Sequence, residues 1–322
     1  MKAITNFSKL FLMFSLAVTV ASCSSDDDTA TEQPMTIAQI AMDNPDFSSL
    51  AAALDRADLS TTLDSDGSFT VFAPTNAAFS AFLQANGFAN LEAVPVATLR
   101  EVLLNHVMSG QNLSSGLSTG YVKTMGKGSA SATNTLSMFI NTSSGVLLNG
   151  GVNNGGAMVT TADVMASNGV IHIVNGVIGL PTVVNHAIAN PDFATLVSAL
   201  TRADQPDFAG ILSGTGPFTV FAPTNNAFGS LLTELSLSGL DQVPQATLES
   251  ALKYHVVAGA NVLSSSLTNN MVVTTFEGSN FTVMTAGGAS ITDANSRISN
   301  IIAVDVQASN GVVHAIDKVL LP

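Results

Sequence analysis

Along this chain, stretches in which apolar residues recur every three or four positions give way to stretches of short alternation, and the succession is written twice. After Asn44-Pro45, apolar residues fall at Phe47, Leu50 and Leu54; after Asn190-Pro191 they fall at Phe193, Leu196, Val197 and Leu200, the spacing of one helix face. The Asn-Pro pair supplies an N-cap followed by the proline favoured at a first helical position. A further helix is predicted ahead of it in the first copy, where Thr36-Ile37-Ala38-Gln39 has capping-box spacing. "FTVFA", from Phe69 and again from Phe218, is short, β-branched and aromatic, and predicts a buried strand. Pro-Thr-Asn then turns the chain, with Thr75-Asn76 and Thr224-Asn225 starting a helix that carries Phe79, Phe82 and Leu83 or Phe228, Leu231 and Leu232. The next helix is predicted to begin at Thr98, Glu101 completing a capping box, with Leu99, Val102, Leu103 and His106 on one inward stripe.

Beyond Gly110 and Gly259 the pattern changes. Segments rich in Ser, Thr and Gly with short alternation, such as "MVVTTF" and "FTVM", predict strands and hairpins. Asn168-Gly169 and Asn310-Gly311 read as two-residue hairpin turns feeding the strands "VIHIV" and "VVHAI". Helices first and strands later make each copy α+β.

The duplication is long. "FTVFAPTNAAF" and "FTVFAPTNNAF" differ at one position, and their offset of 149 holds without a gap through His106/His255 to Gly110/Gly259. "NPDF" repeats at an offset of 146 and "ASNGV" at 142, so length changes fall between matched blocks, as loop differences do. A unit of this size is a domain rather than a solenoid repeat, and 322 residues accommodate two. The expected organisation is a leader over 1–22, a tether over 23–35, and domains over 36–181 and 182–322.

The leader has Lys2 and Lys9 ahead of an apolar run, Leu10 to Ser22, of signal-peptide length and too short to span a bilayer. It ends in Val20-Ala21-Ser22-Cys23, which resembles the lipobox of bacterial lipoproteins, where the cysteine thiol receives diacylglycerol; Cys23 is the only cysteine. The polar, acidic run that follows reads as a flexible tether. Its start, Ser24-Ser25-Asp26-Asp27-Asp28, resembles the acidic export signal of Bacteroidetes-type surface lipoproteins, and Asp28-Thr29-Ala30 resembles a short O-glycosylation motif of the same group. The expected location is the outer membrane, lipid-anchored and exposed at the cell surface, with a periplasm-facing arrangement as the alternative.

Composition narrows the partners. Hydrophobic residues make up 46% of the chain and charged residues 10%, so a core forms and the surface should be rich in hydroxyls and amides. The net charge of −13 and the lack of any Lys/Arg-rich run argue against nucleic acid. None of the five histidines, at 106, 172, 186, 255 and 314, has a His, Asp or Glu three or four residues away in a metal-ligand arrangement on one helix face, and no nucleophile or phosphate-loop motif stands in its required context. Asp64-Ser65-Asp66-Gly67 opens like a calcium loop but reaches Thr75 where the closing Glu belongs. No catalytic residue, metal or cofactor is expected.

Three ordered motifs, each present in both copies, resemble those of the fasciclin domain. "FTVFAPTNAAF" is similar to its first box, "KYHVVAG" (Lys253 to Gly259) to its Tyr-His motif, and "ASNGVIHIVNGVIGLP" and "ASNGVVHAIDKVLLP" to its second box. The resemblance implies a β-wedge of mixed strands flanked by short helices, and a role in adhesion or binding to an extracellular protein or glycan. It marks Tyr254 and His255 as a candidate adhesion motif, with Asn105 and His106 in the first copy, where Asn105 departs from the pattern. Against this stands a structural reading in which each histidine gives one hydrogen bond to a buried carbonyl or to the Pro-Thr-Asn turn. Two other functions remain open: a carrier of a small apolar ligand in the cell envelope, and a structural component of envelope or biofilm.

Overall fold

In the computed structural model, which describes residues 34–322, each "FTVFA" segment lies inside a seven-stranded sheet. The leader, Cys23, Asp28-Thr29-Ala30 and all but the last two tether residues lie outside the described residues. The first copy runs α1 (Ile37–Asp43), α2 (Ser48–Arg56), α3 (Ser60–Asp64), β1 (Phe69–Pro74), α4 (Asn76–Ala85), α5 (Val96–Leu104), β2 (Val107–Ser109), β3 (Gly120–Lys127), β4 (Thr135–Asn141), β5 (Leu147–Leu148), β6 (Ala157–Ala166) and β7 (Gly169–Val174). The second runs α6 (Val183–Ala189), α7 (Ala194–Leu200), α8 (Phe208–Leu212), β8 (Phe218–Pro223), α9 (Asn225–Glu234), α10 (Gln245–Tyr254), β9 (Val256–Ala258), β10 (Met271–Thr274), β11 (Asn280–Met284), β12 (Ser290–Thr292), β13 (Ile298–Ala308) and β14 (Gly311–Ile316).

Strand order is β2-β1-β7-β6-β5-β4-β3 in the first sheet, and β9-β8-β14-β13-β12-β11-β10 in the second repeats it. One parallel pair, β1 with β7 or β8 with β14, sits among antiparallel neighbours. That pair is buried on both faces, which is why "FTVFA" lacks the alternation of a one-sided strand; its one polar residue, Thr70 or Thr219, is buried too, with its hydroxyl donating to the carbonyl of Gly110 or Ala260. Val71 and Ala73 meet the helices through Leu50, Phe79 and Leu103, whereas Phe72 meets Met138, Ile140 and Leu148 across the other face. Each copy is thus α+β with two cores divided by its sheet.

Several local expectations hold atom by atom. Thr36 and Gln39 form the capping box, and Asn44 and Asn190 cap short 3-10 turns that begin at Pro45 and Pro191. The second copy has the same opening helix, capped by Thr182 and Asn185, where only the first was expected to have one.

Two expectations are corrected. The helix over Thr98 begins at Val96 behind Pro95 with no side-chain cap, and the Glu101 carboxylate instead accepts the Lys127 N–H at 2.6 Å. The preset φ of Pro95 starts the helix without a capping hydroxyl, which leaves Glu101 free to hold the end of β3. The hairpin turns are Ser167-Asn168 and Ser309-Asn310, one residue earlier than predicted, because Ala166 pairs with Gly169 and Ala308 with Gly311. The glycines are already strand residues, placed where β1 and β8 come too close for a side chain: a Cβ on Gly169 would stand 2.0 Å from the Phe69 carbonyl oxygen.

Candidate functional site

The Tyr-His motif sits where α5 or α10 ends and the next strand begins. His106 Nε2 accepts the Ile178 N–H at 2.8 Å; the proton is therefore on Nδ1, which lies 2.7 Å from the Val102 carbonyl one turn back. His255 repeats this with Leu320 N–H at 2.9 Å and the Ala251 carbonyl at 2.6 Å. Each ring is a rigid, neutral link between a helix end and the last residues of its domain. Burial pushes both imidazoles down to about 4, opposed in part by the bond to the helix carbonyl. The buried-carbonyl expectation holds; the second partner is this terminal segment, not the Pro-Thr-Asn turn.

Tyr254 is fully buried, its hydroxyl donating to the Asn280 carbonyl at 2.6 Å and accepting the Ala294 N–H at 3.1 Å. Asn105 does equivalent work with a shorter side chain: Nδ2 donates to the Gly179 carbonyl at 2.7 Å and Oδ1 accepts the Thr124 hydroxyl at 2.9 Å. All four candidate adhesion residues are inside their domains. Removing one ring orphans a buried acceptor and a buried donor, so His255→Ala should cost about 2–4 kcal/mol. Denaturant melting checks this; unchanged stability with lost binding would instead make His255 a contact residue.

The signature residues are also hydrogen-bonding hubs. Thr75 and Thr224 cap α4 and α9, while Asn76 and Asn225 accept the backbone N–H of Ser49 and Thr195 and donate to the carbonyls of Pro45 and Pro191. The Asn168 side-chain amide accepts from Ile37 N–H and donates to the carbonyls of Leu63 and Ser65, so it holds the calcium-like Asp64–Gly67 turn at Ser65. Asn310 treats Val183, Leu212 and Gly214 alike. His172 and His314, absent from the candidate set, each accept the N–H of a left-handed aspartate, Asp163 or Asp305, at a register shift in β6 or β13. Among the described residues no group of three His, Cys, Asp or Glu is placed to hold a metal.

What the repeat does not share lies between the copies. Tyr121 of β3 packs on the helical core of the second copy, its ring centroid 4.9 Å from that of Phe139 and 5.6 Å from that of His186, and its hydroxyl donates to the His186 carbonyl at 3.3 Å. Lys123 donates to the Asp305 carbonyl at 2.9 Å, and the Ser137 hydroxyl accepts the Gln307 N–H at 3.0 Å. Asn154 and Asn185 exchange side-chain bonds, and Gly128 passes so near Ser309 that a Cβ would lie 2.2 Å from its Cα. His186 is fully buried here with neither ring nitrogen in hydrogen-bonding geometry; burial pushes it down to about 4, opposed in part by the nearby Gln307 backbone.

Beside these contacts opens a cleft of about 320 Å³, with Tyr121 and Phe139 on one side and Phe193, Ile302 and Val306 on the other. The sequence reading missed it because it followed what the copies share. Comparing their differences finds it: Tyr121 aligns with Met271, His186 with Ile40, and Ile302-Ala303-Val304 with Thr160-Thr161-Ala162.

Comparison with known proteins places these features. A model described as the fasciclin domain matches residues 45–181 and again 191–322. An uncharacterized protein of Synechocystis sp. is 36% identical over 142 residues, 44% of this chain and 98% of its own length. Human periostin is 30% identical over 273 residues, which is 83% of this chain but 30% of periostin. The solved FAS1 domain pair from the insect cell adhesion molecule Fasciclin I aligns with a TM-score of 0.49 and 21% identity over 84% of this chain and 92% of that one.

Proposed function

The chain belongs to the fasciclin domain family, and from that premise we propose that it is a non-enzymatic surface lipoprotein whose domains, 36–181 and 182–322, bind a protein or glycan outside the cell. The observation that carries the reading is the fate of the chemistry-bearing residues. Tyr254, Asn105 and the matched histidines are buried and bonded to backbone within their own domains. Such groups build a scaffold and leave hydroxyls, amides and scattered apolar side chains to meet a partner. The lipobox-like Cys23 supports anchoring, with the tether holding the domains off the bilayer.

Docking refines how a tandem helps. Two copies joined by hydrogen bonds and an inserted tyrosine present their surfaces at a set separation. Effective concentration then strengthens binding only to a partner whose sites match that spacing.

Protease shaving of intact cells expressing the tagged chain tests the placement. Cleavage is expected for the natural sequence, and Cys23→Ser should release the chain from the membrane fraction. Full protection in intact cells with cleavage after outer-membrane permeabilisation would remove the surface reading. Binding of the purified chain to arrayed glycans and matrix proteins then tests the partner class.

A further inference from the structure

We propose that the cleft between the two domains binds a neutral sugar ring whose hydroxyls lie equatorially. The inference rests on reading the chain as a binding module, and it names the ligand class for that module. Three observations lead to it.

The first is the internal control that duplication supplies. At an offset of 142, Thr160, Thr161, Ala162 and Ile173 of the first copy correspond to Ile302, Ala303, Val304 and Ala315 of the second. The strand beside the cleft has exchanged two hydroxyl side chains for apolar ones and enlarged a third, apolar position from alanine to valine. Ala315, where the first copy has isoleucine, leaves room in the lining. Domain docking does not account for the exchange, because Ile302, which lines the cleft, stays 56% exposed. A large apolar side chain left open in the wall of a cleft offers a ligand a surface to cover.

The second is the layout of the walls. Tyr121 and Phe139 stand on the first domain's side, with Phe193, Ile302 and Val306 across from them, around about 320 Å³. Polar groups lie elsewhere in the lining, among them Thr119, Asn190 and Asp192. A pyranose with equatorial hydroxyls has this character: two C–H faces and a polar edge.

The third is Asp192. It is exposed, and among the described residues its carboxylate has no hydrogen-bond or ion-pair partner, while its N–H is held by Asn190 Oδ1 at 3.0 Å. A free carboxylate accepts from two adjacent hydroxyls, as charge-assisted bonds. An acyl chain would offer it no donor, and an acidic ligand would meet like charge on a chain of net charge −13.

The chain has two tyrosines and no tryptophan, so ring-13C-tyrosine labelling of the full chain yields one reporter in the cleft, Tyr121, and one in the second domain's core, Tyr254. Titration with methyl β-glucoside is expected to shift Tyr121 saturably and leave Tyr254 unmoved. Methyl β-galactoside, which differs only in an axial hydroxyl, should bind at least about fivefold more weakly. Asp192→Ala should weaken glucoside binding about tenfold or more, and Ile302→Thr, which restores the first copy's residue, should weaken it as well. No Tyr121 shift with the glucoside, equal response to the epimer, indifference to Asp192→Ala, or response to choline or decanoate alone would each overturn the proposal. A silent Tyr121 in a chain that still binds matrix proteins defeats the cleft assignment alone. A responsive Tyr121 in a chain protected from shaving defeats the surface placement alone.

Discussion

Lowering the pH from 6.5 to 4 is expected to unfold the second domain before the first. Burial holds His106, His186 and His255 down to about 4 in the fold, against the ordinary value of 6.5. Above pH 6.5 both folded and unfolded chains keep these rings neutral, and they contribute no pH dependence. Between 6.5 and 4 the unfolded chain takes up protons that the fold refuses, so stability falls with falling pH and the loss levels off below 4. Each ring costs about 3 kcal/mol over that window, so the two in the second copy together remove much of the stability of an ordinary domain. His106 lies in the first copy, whereas His186 and His255 both lie in the second.

Amide hydrogen exchange across this pH range checks the order. Protection should be lost in β8 and β14 at higher pH than in β1 and β7. Because neither ring nitrogen of His186 is in hydrogen-bonding geometry, His186→Ile, the residue of the first copy at Ile40, should lower the acid midpoint of the second domain. Identical midpoints for the two domains, or no effect of His186→Ile, would show that these rings are not the acid-sensitive groups.

Gly311→Ala and Gly169→Ala are expected to destabilise their domains by at least about 3 kcal/mol each, near the upper end for overpacking. A Cβ at Gly311 would stand 2.1 Å from the Phe218 carbonyl oxygen, and at Gly169 2.0 Å from that of Phe69. These contacts are to backbone in the central parallel pair, so no side-chain rotation relieves them; the strands must separate, and both cores are built on those strands. Gly229→Ala is the control. It lies in α9 with nothing within 4 Å of the added methyl, and should stabilise by about 0.5–1 kcal/mol. Thermal melting of the three variants separates close approach from general intolerance at glycine; equal effects would refute the steric account.

Much of the fold was legible because it is encoded locally. The capping box at Thr36 and Gln39, the Asn-Pro starts, and the Thr75 and Thr224 caps all form among residues within three positions of one another. The errors were local too. Thr98 and Glu101 satisfied the capping-box spacing, yet Pro95 had already set the helix start, and a spacing rule cannot see which competing start wins. The turns fall one residue ahead of Asn-Gly because Gly169 and Gly311 are already paired in their strands, and the amides of Asn168 and Asn310, still in the turns, serve helix ends 96 to 131 residues away, which no local pattern shows.

By itself, the sequence determined that there are two copies, which positions face inward, and that His106 and His255 are core residues, because periodicity reports which side of an element avoids water. Only the tertiary structure decided that His106 reaches Ile178 and His255 reaches Leu320, that Asn105 and Tyr254 are alternative answers to one packing problem, and that Tyr121 joins the domains beside a cleft. A hydrophobic pattern marks a face without naming what covers it. The partner is set by the path of the chain between residues far apart in sequence, and by how one folded copy meets the other.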